Sequence, residues 1–485
     1  MKILLRTLTS TAALLASACA AVGPDYAPPE AAVPASWRAE AEAGERLEPG
    51  SAELGAWWRR LGDPLLGSLV ERATRDSHDV RGALARVREA RALRGIAASE
   101  RYPTVDATLG YERRLESENT AFGEFIEDSD LFSAGFDASW EIDLWGRVRR
   151  GVEAADAGLE ATVEDARDVL VTVAAEVAFQ YVELRAFQRR LAIARTNVAL
   201  QEETRELVRQ RFESGLVGGV DLAQARSNLE ATRSRVPALE IGLRGAENRL
   251  AVLLGLAPGA LAAELGPEGA IPVPPASVAV GVPADLLRRR PDVRRAERLL
   301  AAETARVGLA EAELYPRLAL SGNLGVAAEE VPELFGGDSA TLGIGPSLRW
   351  NLFDAGRLRE RVAAQEARTE GALLRWELAV LRALEESENA MTAFVREEVR
   401  RSSLLEAVAQ SRLAVGYART QYGEGLSDFQ AVLDSERALA QLEDELARSD
   451  AAITTSLIAL YKALGGGFGG DPRVREAAGG DRMGA

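Results

Sequence analysis

Trp140-Glu141-Ile142-Asp143-Leu144-Trp145-Gly146-Arg147 and Trp350-Asn351-Leu352-Phe353-Asp354-Ala355-Gly356-Arg357 are two copies of one pattern. In each, an alternation of apolar and polar residues ends in an aromatic-rich corner, and an arginine then opens a long helix-forming stretch. The duplication extends outward in both directions. Upstream, Asp79-Val80-Arg81 and Tyr102-Pro103 return as Asp292-Val293-Arg294 and Tyr315-Pro316; downstream, Gly215-Leu216 and Leu254-Gly255 return as Gly425-Leu426 and Leu464-Gly465. Matches that keep one spacing over so long a stretch indicate a repeated unit, here ordered helix, strand, strand, helix, helix.

Four segments alternate with a period of two. Val105, Ala107, Leu109 and Tyr111 alternate with Asp106, Thr108, Gly110 and Glu112, and Phe132 to Leu144 do the same against Ser133, Asp137 and Glu141. The second copy supplies Leu318, Leu320, Leu324 and Val326, then Leu342, Ile344, Leu348, Trp350 and Leu352. Such strands are commonest in a soluble sheet packed by one face on a core. Here each apolar face is long enough to cross a hydrocarbon layer when tilted, and Trp140, Trp145, Trp350 and Phe353 gather at one end like an interfacial girdle. Four strands leave two open edges, and membrane barrels close with about eight or more. Several chains must therefore share one barrel.

Between Pro103 and Pro237, and between Pro346 and Pro472, there is no proline. Stretches 147–213 and 357–423 are dense in Ala, Leu, Glu and Arg, so each predicts helix of roughly 100 Å. The following helices carry heptads: Leu222, Ala225, Leu229, Thr232, Val236, Leu239, Leu243, Ala246, Leu250 and Leu253, matched by Val432, Ser435, Leu439, Leu442, Leu446, Ser449, Ile453, Ser456, Leu460 and Ala463. That spacing predicts left-handed coiled-coil packing, with a bend at Pro237 in the first copy only. The hairpins reverse at Gly215 and Gly425, where glycine suits a helix C-terminus.

Among 485 residues there are one cysteine, one histidine and three methionines, and the formal charge is −16. The charge disfavours nucleic acid as a partner, and the residue counts provide neither a disulfide nor the soft ligands of a transition-metal site. No cofactor is expected. Catalysis is disfavoured too: His78 has no second histidine or cysteine to join it, and the glycines at 465–470 lack the Lys-Ser/Thr of a phosphate loop. Residues 1–18, with Lys2 and Arg6 ahead of an apolar run, read as an export signal. Cys19 falls where a bacterial lipoprotein is cut, and the new N-terminal cysteine would carry lipid. Ala16 stands where Leu is usual, however, so Ala16-Ser17-Ala18 also fits an ordinary cleavage site. The mature sequence holds no run of about 18 apolar residues, so a crossing of the membrane falls to strands.

These residues resemble the TolC-like outer-membrane efflux proteins, in their lipoprotein-type branch. The resemblance rests on Cys19 with Gly23-Pro24-Asp25-Tyr26, Trp57-Trp58 to Asp63-Pro64-Leu65, Arg290-Pro291-Asp292-Val293, Tyr315-Pro316, Trp350 to Gly356, and Tyr461 to Gly466. It implies a mainly α fold with a transmembrane β-barrel: a homotrimer sharing a twelve-stranded barrel in the outer membrane, above a long α-helical coiled-coil barrel in the periplasm. It also implies a non-enzymatic exit duct for a periplasmic adaptor protein and an inner-membrane pump of the resistance-nodulation-division (RND) class, as in multidrug efflux. Ser427, Asp428 and Asp434 become candidates for the periplasmic aperture. Gly215, Leu216, Val217, Gly425, Leu426 and Ser427 become candidates for tips that dock the adaptor, and Cys19 for a palmitate-type anchor in outer-membrane lipid. Ser427 stands where some relatives place a ring-forming Asp, and Gly219 where many carry a polar residue.

The expected organisation is a signal at 1–18, a lipid-anchored and equatorial segment at 19–78, a first repeat at 79–257, a Pro-rich linker at 258–291, a second repeat at 292–466 and a flexible tail at 467–485. Strands are expected at about 104–115, 131–144, 317–327 and 341–352. Long helices are expected at about 147–213, 220–256, 357–423 and 428–464. The rival reading is a lipid-tethered coiled-coil scaffold with a soluble sheet, which leaves the apolar strand faces unexplained.

Overall fold

The alternating segments form one antiparallel sheet. In the computed structural model, which describes residues 21–42, 46–48, 54–115, 129–467 and 471–479, the strands are β1 (Thr104–Arg114), β2 (Ser129–Ile142), β3 (Arg317–Ala328) and β4 (Ala340–Arg349), in that order across the sheet. The expected signal at 1–18 and Cys19 lie outside the described residues. The central pairing of β2 with β3 joins the two repeats, Phe136 facing Leu324 and Trp140 facing Leu320.

The register sorts the side chains cleanly. Ala107, Phe136, Leu324 and Leu342 lie in one row across all four strands, and Val105, Ala138, Gly322 and Ile344 in the next. The opposite face carries Asp106, Asp137, Asn323 and Gly343, flanked by Thr104, Ser139, Ser321 and Gly345. No part of the described chain covers the apolar face: Leu109 is 85% exposed and Leu342 80%. β1 and β4 each keep one unpaired edge.

At the foot of the sheet the indoles are tied down, and twice in the same way. Trp140 Nε1 donates to the Arg101 carbonyl at 3.0 Å, and Trp350 Nε1 to the Leu314 carbonyl at 3.1 Å. Trp145 Nε1 donates to the Pro316 carbonyl at 2.9 Å while its ring stacks on Tyr315. Each indole has its N–H satisfied by a backbone carbonyl, which leaves the rest of the ring free to meet an apolar surrounding.

The helices are α1 (Pro64–Asp76), α2 (His78–Ser99), α3 (Arg147–Glu213), α4 (Gly219–Arg233), α5 (Arg235–Leu253), α6 (Pro291–Ala312), α7 (Arg357–Gly423), α8 (Phe429–Ala463) and α9 (Pro472–Ala478), with shorter ones at Arg38–Glu42, Ala262–Leu265 and Pro283–Arg289. α3 and α7 each run 67 residues without a break. Every heptad position named above is buried or half-buried. The stretch expected as one helix at 220–256 is instead two, interrupted at Ser234, whereas α8 is continuous. Pro237 has no N–H for the Arg233 carbonyl, so the helical ladder fails one turn upstream of the ring. No described helix is long and apolar enough to cross a membrane.

The chain forms two compact units, and each draws on both repeats. One takes Met1–Glu30, Arg88–Thr162 and Ala296–Trp376; the other takes Ala31–Val87, Val163–Arg295 and Glu377–Ala485. In the second unit Trp57 stacks on Tyr461, and Asp63 caps α1 while accepting the Tyr181 hydroxyl at 2.6 Å. Arg290, 7% exposed, pairs with Asp292 and Glu386 and donates to the Ala463 carbonyl, which caps the C-terminus of α8. The tail expected to be flexible from 467 onward departs from that reading, because α9 forms there. Asp471 caps it, and Arg473 binds the Thr74 and Arg75 carbonyls at the end of α1.

Candidate aperture at the helical tips

The two hairpin tips turn on the same backbone device. Gly215 takes φ +71°, with Leu216 N donating to the Arg211 carbonyl at 2.9 Å. Gly425 takes φ +76°, with Leu426 N donating to the Gln421 carbonyl at 2.8 Å. A left-handed residue closing a helix in this way is strained for anything but glycine. Leu216 and Leu426 are thereby held out in solvent, 68% and 74% exposed.

The next helices start differently. α4 is entered at Gly218 with no side-chain cap, whereas Asp428 caps α8 by accepting the Ala431 N–H at 3.1 Å. Asp434 is exposed and accepts from Gln430 at 2.9 Å. Six residues of helix turn the two carboxylates about 120° apart around the axis, so they do not share a face. Ser427 is half-buried, with its hydroxyl shielded and unpartnered among the described residues.

Behind the tips Val208, Leu222, Ala225, Tyr422, Phe429, Val432 and Leu433 pack as one apolar cluster, joined by Val217. Arg211 crosses from the first hairpin to the second. Its guanidinium lies over the Tyr422 ring and donates to the Tyr422 carbonyl. Burial pushes the Tyr422 hydroxyl above its ordinary pKa. Farther along, Thr204 donates to Glu436 at 2.5 Å in a fully buried contact, with Arg419 Nε 4.0 Å from the same carboxylate. Burial holds the Glu436 carboxyl above the usual range.

The structure brings Val217 into the tip cluster and leaves Asp428 and Asp434 separate. Arg211 and Glu436 did not emerge from the sequence. The one available signal for each was a difference between repeats: Gln421 stands at the position equivalent to Arg211, and Arg226 at that equivalent to Glu436. No group of metal-binding side chains occurs among the described residues.

Comparison with known proteins agrees with this geometry. The family model described as outer membrane efflux protein matches residues 69–256 and 282–466. Nodulation protein T of Rhizobium leguminosarum bv. trifolii is 31% identical over 96% of this chain and 97% of its own length. The pyoverdine export outer membrane protein OpmQ of Pseudomonas putida is 34% identical over 92% of this chain and 94% of its own. The solved outer-membrane channel OprN superposes with a TM-score of 0.87 at 37% identity, covering 92% of this chain and 99% of its own. A sheet with one lipid-suited face, paired long helices and family matches in both repeats converge on one assignment: this chain belongs to the outer membrane efflux protein family.

Proposed function

We propose that three copies of this chain form the exit duct of a tripartite efflux system. They would conduct solutes passively from an inner-membrane pump of the RND class and a periplasmic adaptor to the outside. The observation that carries this reading is the four-stranded sheet, with its uncovered apolar face and two unpaired edges. Three such sheets joined edge to edge give a closed twelve-stranded barrel, which satisfies the edges and turns the polar faces inward. Relatives are named for pyoverdine export and toluene efflux. In this reading the pump, not the duct, sets the main choice of cargo.

The aperture is assigned to the tips, with Ser427, Asp428 and Asp434 contributing. Gly215, Leu216, Val217, Gly425, Leu426 and Ser427 form the surface for the adaptor. Cys19 is assigned as the lipidated residue. It precedes Ala21 by two residues, a reach of about 7 Å, and Val22 N donates to the Trp145 carbonyl at 3.0 Å. A lipid on Cys19 would thus enter the bilayer beside the indole girdle.

The test is the mass of the unheated protein in mild detergent from separated outer membranes, followed by conductance in planar bilayers. A conducting trimer supports the reading, and a soluble monomer leaves only the scaffold. Mass spectrometry of the N-terminal peptide, with and without Cys19→Ser, tests the anchor. Replacing Gly425 or Leu426 with Glu should abolish efflux at unchanged channel abundance; normal efflux would remove the tips from docking.

A further inference from the structure

Arg317 begins β3 and Arg349 ends β4, and the two are direct partners across the strands. Period-two alternation puts both on the polar face with Ser321, Asn323, Gly343 and Gly345. Like charges directly opposite one another weaken a sheet, so the pair needs a reason. The repeat shows that the fold does not require it. The equivalent positions in the first copy are Thr104 and Ser139, which are also direct partners, and there the Thr104 hydroxyl simply donates to the Ser139 carbonyl at 3.3 Å.

The nearby acids are already committed. Asp143 accepts the Val148 and Arg149 N–H groups, and Glu141 accepts Arg147 at 2.7 Å. Asp354 accepts the Gly356 and Leu358 N–H groups. Glu313 is bound by Arg361 at 2.5 Å and lies 3.7 Å from Arg317. Arg349 has no ion pair or side-chain hydrogen bond with any described residue, and both arginines are exposed. Two planar guanidinium groups on adjacent strands can converge on one tetrahedral or planar oxyanion.

We propose that Arg317 and Arg349 form an anion site at the foot of the polar face, taking a phosphate, sulfate or carboxylate group of a solute in transit. The site rests on the reading that this face lines a lumen. Three copies would place six guanidinium groups at one level of the barrel. Solutes would meet them before the Asp106 and Asp137 carboxylates, which pair across β1 and β2 in mid-sheet. Such a collar favours cargo that carries an anionic group and sets a charge filter separate from the helical tips.

The experiment uses the full-length trimer in phosphatidylcholine bilayers, with inorganic pyrophosphate in both compartments. The variant is Arg317→Thr with Arg349→Ser, the residues that the first repeat tolerates at these positions. Pyrophosphate should block the wild-type current, and the double variant should need at least about tenfold more of it for half-block. In a KCl gradient the variant's reversal potential should move toward potassium. If the double variant fails to assemble, Arg349→Ser alone carries the test, since the Arg349 side chain has no partner among the described residues. Unchanged block and reversal potential in a conducting variant overturn the site and leave the channel standing; a wild type that forms no channels removes both. If the arginines instead retain phosphatidylglycerol in native mass spectrometry while their removal leaves the block intact, the occupant is a lipid headgroup and the lumenal assignment fails.

Discussion

The guanidinium of Arg211 sits 4.7 Å from the centroid of the Tyr422 ring and donates to the Tyr422 carbonyl, so one residue of the first hairpin caps the C-terminus of α7, the helix that opens the second. A cation over an aromatic face and a charged hydrogen bond together contribute roughly 2 kcal/mol in a partly desolvated place. Arg211→Gln, which installs the residue of the second repeat, should therefore loosen the tips. The closed-state conductance of the reconstituted channel is expected to rise severalfold, with assembly unchanged. If the leak does not move, the hairpins are held together elsewhere.

Asp428 has a structural duty that its charge alone does not reveal. Asp428→Ala should remove a helix cap at a cost of about 1 kcal/mol, and Asp428→Asn should restore it, since both side chains cap well. Hydrogen exchange at the first turn of α8 reads the cap, and conductance reads the charge. We expect Ala to speed exchange and Asn to restore it, with conductance raised in both variants. If Asn matches wild type in conductance, the aperture charge lies at another residue.

Glu436 gives a pH dependence whose sign follows from its burial. Its carboxyl is held above the usual range in the folded chain, so folding takes up protons. That contribution is fully present below the ordinary glutamic acid pKa and is lost as pH rises through the raised value. Glu436→Gln should stabilise the helical part at neutral pH and flatten the rise in stability expected on mild acidification. Unfolding midpoints in detergent at several pH values, for both forms, check this. Parallel curves would place the titration elsewhere.

The legible parts of this fold were those with a local period. Strand alternation, the heptads and the glycine tips each declare themselves within a few residues, and the duplication confirmed each reading once more. Pairings across the chain were not legible. Nothing local says that β2 lies beside β3, because no turn joins them, and Arg211 meets a partner 211 residues away. Pro237 predicted a bend, yet the position of the break at Ser234 depends on which carbonyl loses its donor. Asp428 entered as an aperture candidate through the family resemblance, and the structure shows that it also has the capping role that an Asp before a helix has by default.

The two sheet faces make opposite predictions for one substitution at neighbouring positions. Leu324 lies in the central apolar row, 58% exposed, and Asn323 lies beside it in the row with Asp137. If the apolar face meets lipid, Leu324→Arg places a cation in the hydrocarbon layer at a cost of about 2–4 kcal/mol per chain, repeated in every copy. Asn323→Arg faces water and an acid, and should be tolerated. The amount of unheated oligomer in outer-membrane fractions should collapse for the first variant and persist for the second. Equal loss in both would mean that the faces are not divided between lipid and water, and the barrel would have to be abandoned for a sheet packed against protein.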